Sequence, residues 1–192
     1  MTPPKSLPAK GLKLVALLNA AAGAASHKGA DGLHAELASA LDALHVVAEL
    51  KFCGGSELKV LAEGALTSAK AGEIDAIVVG GGDGSIRTVA GVLAGSGVPL
   101  GILPLGTLNH FAKDLGIPLH LGEAAGVIAK GVQRAVDLAE VNGETFINNS
   151  SIGIYPYLRY ARYGRVDMAL TFMETAAVLA FLCWEDAKPG SG

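Results

Sequence analysis

A chain of 192 residues, half of them apolar, is long enough for one buried core and part of a second. Its net charge of −3 supplies no broad basic field, which argues against nucleic acid as a partner. The two cysteines, Cys53 and Cys183, lie far apart and form no CxxC pair, so neither a zinc site nor a disulfide framework is indicated and a reducing cytoplasm fits.

Residues 1–11 read as a disordered tail, proline-rich and polar, without the apolar core of a signal peptide. Residues 12–18 form an apolar run that predicts a buried strand. From about 27 to 44, Leu33, Leu37, Leu41 and Leu44 recur at helical spacing. Residues 46–52 predict a second strand, and Leu58, Leu61, Ala62, Ala65 and Leu66 a second helix. A short apolar strand follows at 75–79, then a helix continuing through 86–93. Residues 100–103 predict a fourth strand. A short helix over 109–115 is stopped by Gly116 and Pro118, and another spans 121–130. This alternation predicts an α/β, doubly wound, mostly parallel sheet, whose ligands sit at the carboxyl ends of the strands.

The rhythm changes near 131–135. Residues 134–141 and 145–150, joined by Asn142-Gly143-Glu144, predict an antiparallel hairpin with an Asn-Gly turn. Two hairpin strands cannot bury a face alone, so the second unit reads as incomplete. The chain divides on this reading into a domain at 12–133 and the start of a β-rich second domain at 134–192.

Two glycine turns carry most of the functional information. Gly80-Gly81-Gly82-Asp83-Gly84-Ser85 follows the third strand and opens a helix. Pro104-Leu105-Gly106-Thr107-Leu108-Asn109 follows the fourth and does the same. Such corners leave backbone N–H groups bare at a helix start, where the dipole also favours an anion. Phosphate is the expected ligand. Gly81, Gly82 and Gly84 allow close backbone approach, and Ser85 and Thr107 are short donors suited to phosphate oxygens. Neither GxxxxGK[ST] nor GxGxxG is present, because Arg87 stands where the third glycine would be. Asn109 either braces the second corner, touches nucleotide or caps the helix. Arg87 reads as an exposed helix residue. His27, His34 and His45 have no acidic companion at ligand spacing and make no metal set.

The two corners together, continued by His110-Phe111-Ala112 and Leu115-Gly116-Ile117-Pro118, resemble the catalytic domain of the diacylglycerol kinase family, which includes bacterial lipid kinases and sphingosine kinases. Val136-Asp137-Leu138 and the stretch from Phe146 to Gly153 extend the likeness. The resemblance implies an ATP-dependent kinase that passes the γ-phosphate to a lipid hydroxyl, diacylglycerol-like or sphingoid. It makes the 12–133 unit the nucleotide-binding domain, with ATP and Mg²⁺ as cofactors. Asn19 and Gly23 match part of the family's turn after the first strand, although Ala20 stands where it has proline. The implied cofactor-binding set is Asn19, Gly23, Gly81, Gly82, Asp83, Gly84, Ser85, Gly106, Thr107 and Asn109. Asp83 would hold Mg²⁺ through water, or orient or deprotonate the acceptor hydroxyl. His110 replaces a usual acid, and Arg87-Thr88 replace a usual asparagine and acid. Further carboxylates that the family uses lie in a second domain that the chain mostly lacks, so activity of the chain itself is a separate question. A non-catalytic ATP-binding fragment is one alternative, and a soluble-substrate kinase of the NAD kinase or phosphofructokinase type is another.

Tyr155, Tyr157, Tyr160 and Tyr163 lie among Arg159, Arg162 and Arg165, a pattern that reads either as a solvated helix face or as a contact for anionic headgroups. Residues 168–184 are apolar but fall short of the ~20 residues of a membrane span and include Glu174. They predict a helix that packs on a second domain, a membrane surface or a second copy of the chain as a homodimer. The expected location is cytoplasmic, peripheral to the inner face of the membrane.

Overall fold

The computed structural model describes residues 7, 11–23, 29–141 and 143–148. At its centre runs a strand whose apolar middle is shut off from water. β1 (Lys13–Asn19) is buried from Leu14 through Leu18, as a parallel strand covered on both faces must be. β2 (Val47–Cys53) pairs on one side of it in parallel, with Lys13 opposite Val47 and Asn19 opposite Cys53. β3 (Ala76–Gly81) pairs on the other side, with Leu14 opposite Ala76 and Leu18 opposite Gly80. β4 (Leu100–Pro104) joins β3, again in parallel. The sheet order is therefore β2-β1-β3-β4. The mostly parallel α/β sheet expected from the alternation of elements is present.

The helices cover the two faces. α1 (Ala30–Ala43) buries Leu33, Leu37 and Leu41. These meet Leu14, Ala16 and Leu18 of β1 and Leu121, Ala124 and Ala125 of α5 (Leu121–Ala129) in one cluster. Each fully buried leucine contributes about 1.5–3 kcal/mol. α2 (Leu58–Lys70) and α3 (Asp83–Leu93) pack on each other and on the sheet. They lie over the face to which strand alternation turns Val15, Leu17, Ile77 and Val79. A short helix, α4 (His110–Asp114), follows β4.

This winding creates a switch point. After β1 the chain moves outward to β2, then crosses back over β1 to β3. The carboxyl ends of β1 and β3 are neighbours whose following segments leave in opposite directions. A crevice forms at such a point in open α/β sheets.

Two expectations need correction. Leu7, within the segment expected to be a disordered tail, is anchored: its N–H donates to the Gly131 carbonyl at 3.0 Å, and its side chain packs against the core. An apolar residue near a sheet core gains more from burial than from solvent. The hairpin is also shorter than its pattern suggests. β5 (Ala139–Val141) pairs antiparallel with β6 (Glu144–Phe146), while residues 134–138 form no strand. Arg134 to Asp137 are exposed, and no partner strand meets them among the described residues. The chain divides into two compact units between Asp137 and Leu138.

Residues 149–192 lie outside the described set, as does His27. The tyrosine and arginine stripe, the apolar segment at 168–184 and Cys183 therefore lie outside it too. No helix of the described residues is long and apolar enough to cross a membrane.

Candidate functional site

Three turns after β1, β3 and β4 gather at the carboxyl edge of the sheet. The β1 turn is set by Asn19, whose Oδ1 accepts the Ala21 N–H at 3.0 Å and whose carbonyl accepts the Ala22 N–H at 3.0 Å. Such an Asx turn reverses the chain within a few residues. The Asn19 Nδ2 then donates to the Ser85 Oγ at 2.8 Å. One hydrogen bond thus joins the turn after β1 to the helix after β3, across the switch point.

The first glycine corner packs tightly. A Cβ at Gly81 would stand 2.6 Å from both the Cβ and the Oγ of Ser85. Only a bare α-carbon fits there. Gly82 takes the N-cap position of α3 in extended geometry, and having no side chain it cannot cap. Ile86 N–H begins the intrahelical ladder to the Gly82 carbonyl at 3.1 Å. The N–H groups of Asp83, Gly84 and Ser85 form the first turn, and no side chain among the described residues caps them. A helix start left in this state favours an anion.

The second corner touches the first through backbone. A Cβ at Gly106 would overlap the Cα of Gly82 and lie 3.0 Å from its nitrogen. Asn109 holds this corner shut. Its Oδ1 accepts the Gly106 N–H at 2.9 Å, and its Nδ2 donates to the Gly106 carbonyl at 2.7 Å. Asn109 has φ 51° and ψ 45°, a left-handed conformation that asparagine tolerates better than most residues, and it is only 5% exposed. Of its three sequence-stated roles, bracing is the one this geometry supplies, because the side chain turns back to Gly106 and no side-chain cap bond forms to α4.

The amides that open α4 are not bare. The Asp83 carboxylate takes two of the three: His110 N–H donates to Oδ2 at 3.1 Å and Phe111 N–H to Oδ1 at 2.9 Å. This corrects the expectation that each corner would offer open helix amides. The first corner does, while in the second a carboxylate already stands where an anion would. The physical reason is proximity, since the Gly82–Gly106 contact brings the start of α3 beside the start of α4.

The remaining site residues divide by exposure. Ser85 is 8% exposed, and its hydroxyl accepts from Asn19, so it is an internal bridge before it is a phosphate donor. Gly82, Asp83 and Gly84 are half-buried and border solvent. Thr107 and His110 are exposed. Gly23 lies against Thr107, since a Cβ there would be 3.4 Å from the Thr107 Oγ1. Arg87, expected to be exposed, is half-buried, while the Thr88 hydroxyl donates to the Gly84 carbonyl at 3.0 Å.

The sequence did not single out the turn after β2. Glu57 Oε2 accepts the Gly54 N–H at 2.8 Å, and a Cβ at Gly55 would lie 4.0 Å from Asn19 Nδ2. Gly54-Gly55 after a predicted strand was the available signal. Beside this turn, burial raises the Cys53 thiol pKa above its usual range, and the Glu57 carboxylate adds to the rise.

Fold and site together define a doubly wound α/β domain with an uncapped helix start at its switch point. The family model for the diacylglycerol kinase catalytic domain matches residues 13–141, and the chain belongs to that family. It is 39% identical to a diacylglycerol kinase of Bacillus subtilis over 111 residues, which cover 56% of this chain and 35% of that protein. It is 44% identical over 84 residues to a Yersinia pestis protein named "Probable lipid kinase YegS-like", covering 42% of this chain and 28% of the other. A crystal structure of a diacylglycerol kinase from Bacillus anthracis superposes with a TM-score of 0.57 at 29% identity, covering 78% of this chain and 50% of that one. The matched part of the chain thus spans about a third of the curated relatives' length and half of the solved structure's.

Proposed function

We propose that this chain carries the nucleotide-binding domain of an ATP-dependent lipid kinase, which transfers the γ-phosphate to the hydroxyl of a diacylglycerol-like or sphingoid lipid. The observation that carries the reading is the uncapped first turn of α3, pressed against the Gly106 corner at the switch point. The glycines let the two corners pack backbone to backbone, since a Cβ at Gly81 would meet Ser85 and one at Gly106 would meet Gly82, and this holds the uncapped amides at the switch point.

Bound ATP supplies the phosphoryl group, and its Mg²⁺ offsets the charge of the phosphate oxygens. The chain's own residues bind and orient. The N–H groups of Asp83, Gly84 and Ser85 face the phosphates, and Thr107 adds a hydroxyl from the second corner. Asn19 and Gly23 bound the same crevice from the β1 turn. Asn109 keeps the second corner in shape. Among the described residues no three histidine, cysteine or acidic side chains group to hold a metal ion. The family resemblance assigns Asp83 to Mg²⁺, through a water on the lone pairs its amide bonds leave unused. Phosphate and water oxygens suit that hard ion as its other ligands. A lipid acceptor makes the protein peripheral to the cytoplasmic face of a membrane.

Two measurements test this. Mg-ATP at millimolar concentration raises the melting temperature and adenosine does not, because the phosphates carry the binding. Absence of a shift with Mg-ATP removes the nucleotide site. Labelled ATP is then offered with diacylglycerol or sphingosine in vesicles, and separately with NAD or fructose 6-phosphate. Label in lipid is the expected result. Label only in a soluble acceptor identifies a soluble-substrate kinase, and binding without any transfer identifies a non-catalytic ATP-binding module.

A further inference from the structure

We propose that Asp83 is a positioning residue, which clamps the two glycine corners into one body. The inference deepens the function proposed above. Its basis is the commitment of both carboxylate oxygens to backbone amides: Oδ2 to His110 and Oδ1 to Phe111. Charge-assisted bonds of this kind are roughly twice as strong as neutral ones.

Asp83 acts from both of its ends. Its own N–H belongs to the uncapped turn of α3, and its carboxylate ends the polar start of α4. Two contacts run in parallel between the corners: the carboxylate joins α3 to α4, and Gly82 lies against Gly106, while Asn109 holds Gly106 from within the second corner. Moving Asp83 toward an acceptor hydroxyl would release two amides and loosen the corner that carries Thr107.

The test uses the full chain with residue 83 altered. Asp83→Ala removes both acceptors. Asp83→Asn keeps one carbonyl oxygen and cannot take up a proton at neutral pH. Hydrogen exchange is read at the amides of His110 and Phe111. The clamp predicts about tenfold faster exchange at both amides in Asp83→Ala, and at one of the two in Asp83→Asn. Unchanged exchange at both amides in Asp83→Ala overturns the proposal. If that chain does not fold, Asp83→Asn decides, and unchanged exchange at both of its amides overturns it.

Affinity for ATP without Mg²⁺, read by titration calorimetry, supplies the second readout, because the Mg²⁺ role assigned to Asp83 would itself be lost with asparagine. The clamp predicts that Asp83→Asn stays within about threefold of the unaltered chain while Asp83→Ala loses about tenfold. Equal losses in the two variants overturn it, because a clamp that asparagine half restores costs less than one removed whole. The affinity readout rests on the nucleotide site, and the exchange readout does not. An unaltered chain that binds no Mg-ATP therefore ends the proposed function, while the exchange rates still decide the clamp.

Discussion

Asn19 and Ser85 stand 66 positions apart in the chain and share a hydrogen bond of 2.8 Å, from Nδ2 to Oγ. The bond spans the point at which the sheet reverses its winding direction. It fixes the turn after β1 against the helix after β3, and both border the proposed phosphate site. Asn19 also shapes its own turn through Oδ1.

These two roles separate in a double-mutant cycle. Ser85→Ala leaves a part-buried amide without its acceptor and costs about 1 kcal/mol, read as a lower urea midpoint. Asn19→Ala loses the turn as well and costs about 2 kcal/mol. The cycle returns a coupling of about 1 kcal/mol. Strictly additive losses would show that the bond contributes nothing.

Glycine substitutions have opposite signs at two positions. Gly106→Ala drives a methyl into the backbone of Gly82, which cannot rotate away, and costs about 2 kcal/mol or more. Gly64→Ala, on the exposed side of α2 with open space around it, adds about 0.5–1 kcal/mol of stability. Thermal unfolding of the two variants checks both signs, and equal melting temperatures would refute the backbone contact.

Cys53 predicts a decline in stability at alkaline pH. Its folded pKa is raised, first by burial and then by Glu57, above an ordinary value of 9.0. Below pH 9.0 the thiol is neutral in both states and its contribution is whole. Above it the unfolded chain loses the proton first, so stability falls as pH rises toward the folded pKa. Urea unfolding between pH 8 and 10.5 shows a steeper fall for the unaltered chain than for Cys53→Ala. Iodoacetamide at pH 8 reacts with Cys53 more slowly than with a free thiol, because little thiolate is present. Alkylation at the free-thiol rate would contradict the burial argument.

Thr107 is exposed at the second corner, so its substitution tests ligand contact with little effect on folding. Thr107→Ala weakens Mg-ATP binding about threefold to tenfold by calorimetry, the value of one hydrogen bond, while the melting temperature of the free chain stays the same. Undiminished affinity would take Thr107 out of the phosphate site.

Much of the fold is legible in local pattern. The apolar runs of β1 and β3, the leucine spacing of α1 and the glycine corners after β3 and β4 each depend on neighbours within a few residues. Periodicity and turn chemistry report such things directly. Where the pattern was weaker, so was the reading. Residues 134–138 carry strand-like residues but form no strand, and 134–137 stay exposed with no partner strand among the described residues, since a strand needs another backbone to bond.

The site was legible as a set of residues and not as a set of roles. Ser85 looks like an outward donor until Asn19 is seen to bond it. Asp83 looks like a free acid until the amides of His110 and Phe111, the first of them 27 residues along the chain, are seen to hold it. Nothing near Asp83 in the chain signals that bond.

The order of amino acids by itself determined which segments become strands and helices and where the glycine turns fall, because backbone conformation answers to nearby side chains. The strand order β2-β1-β3-β4 was decided only in three dimensions, and with it the meeting of Gly82 with Gly106 and of Asp83 with α4. Contacts between distant segments follow from how a whole sheet is wound and covered, and a hydrogen bond between two turns exists only once that winding has placed them side by side.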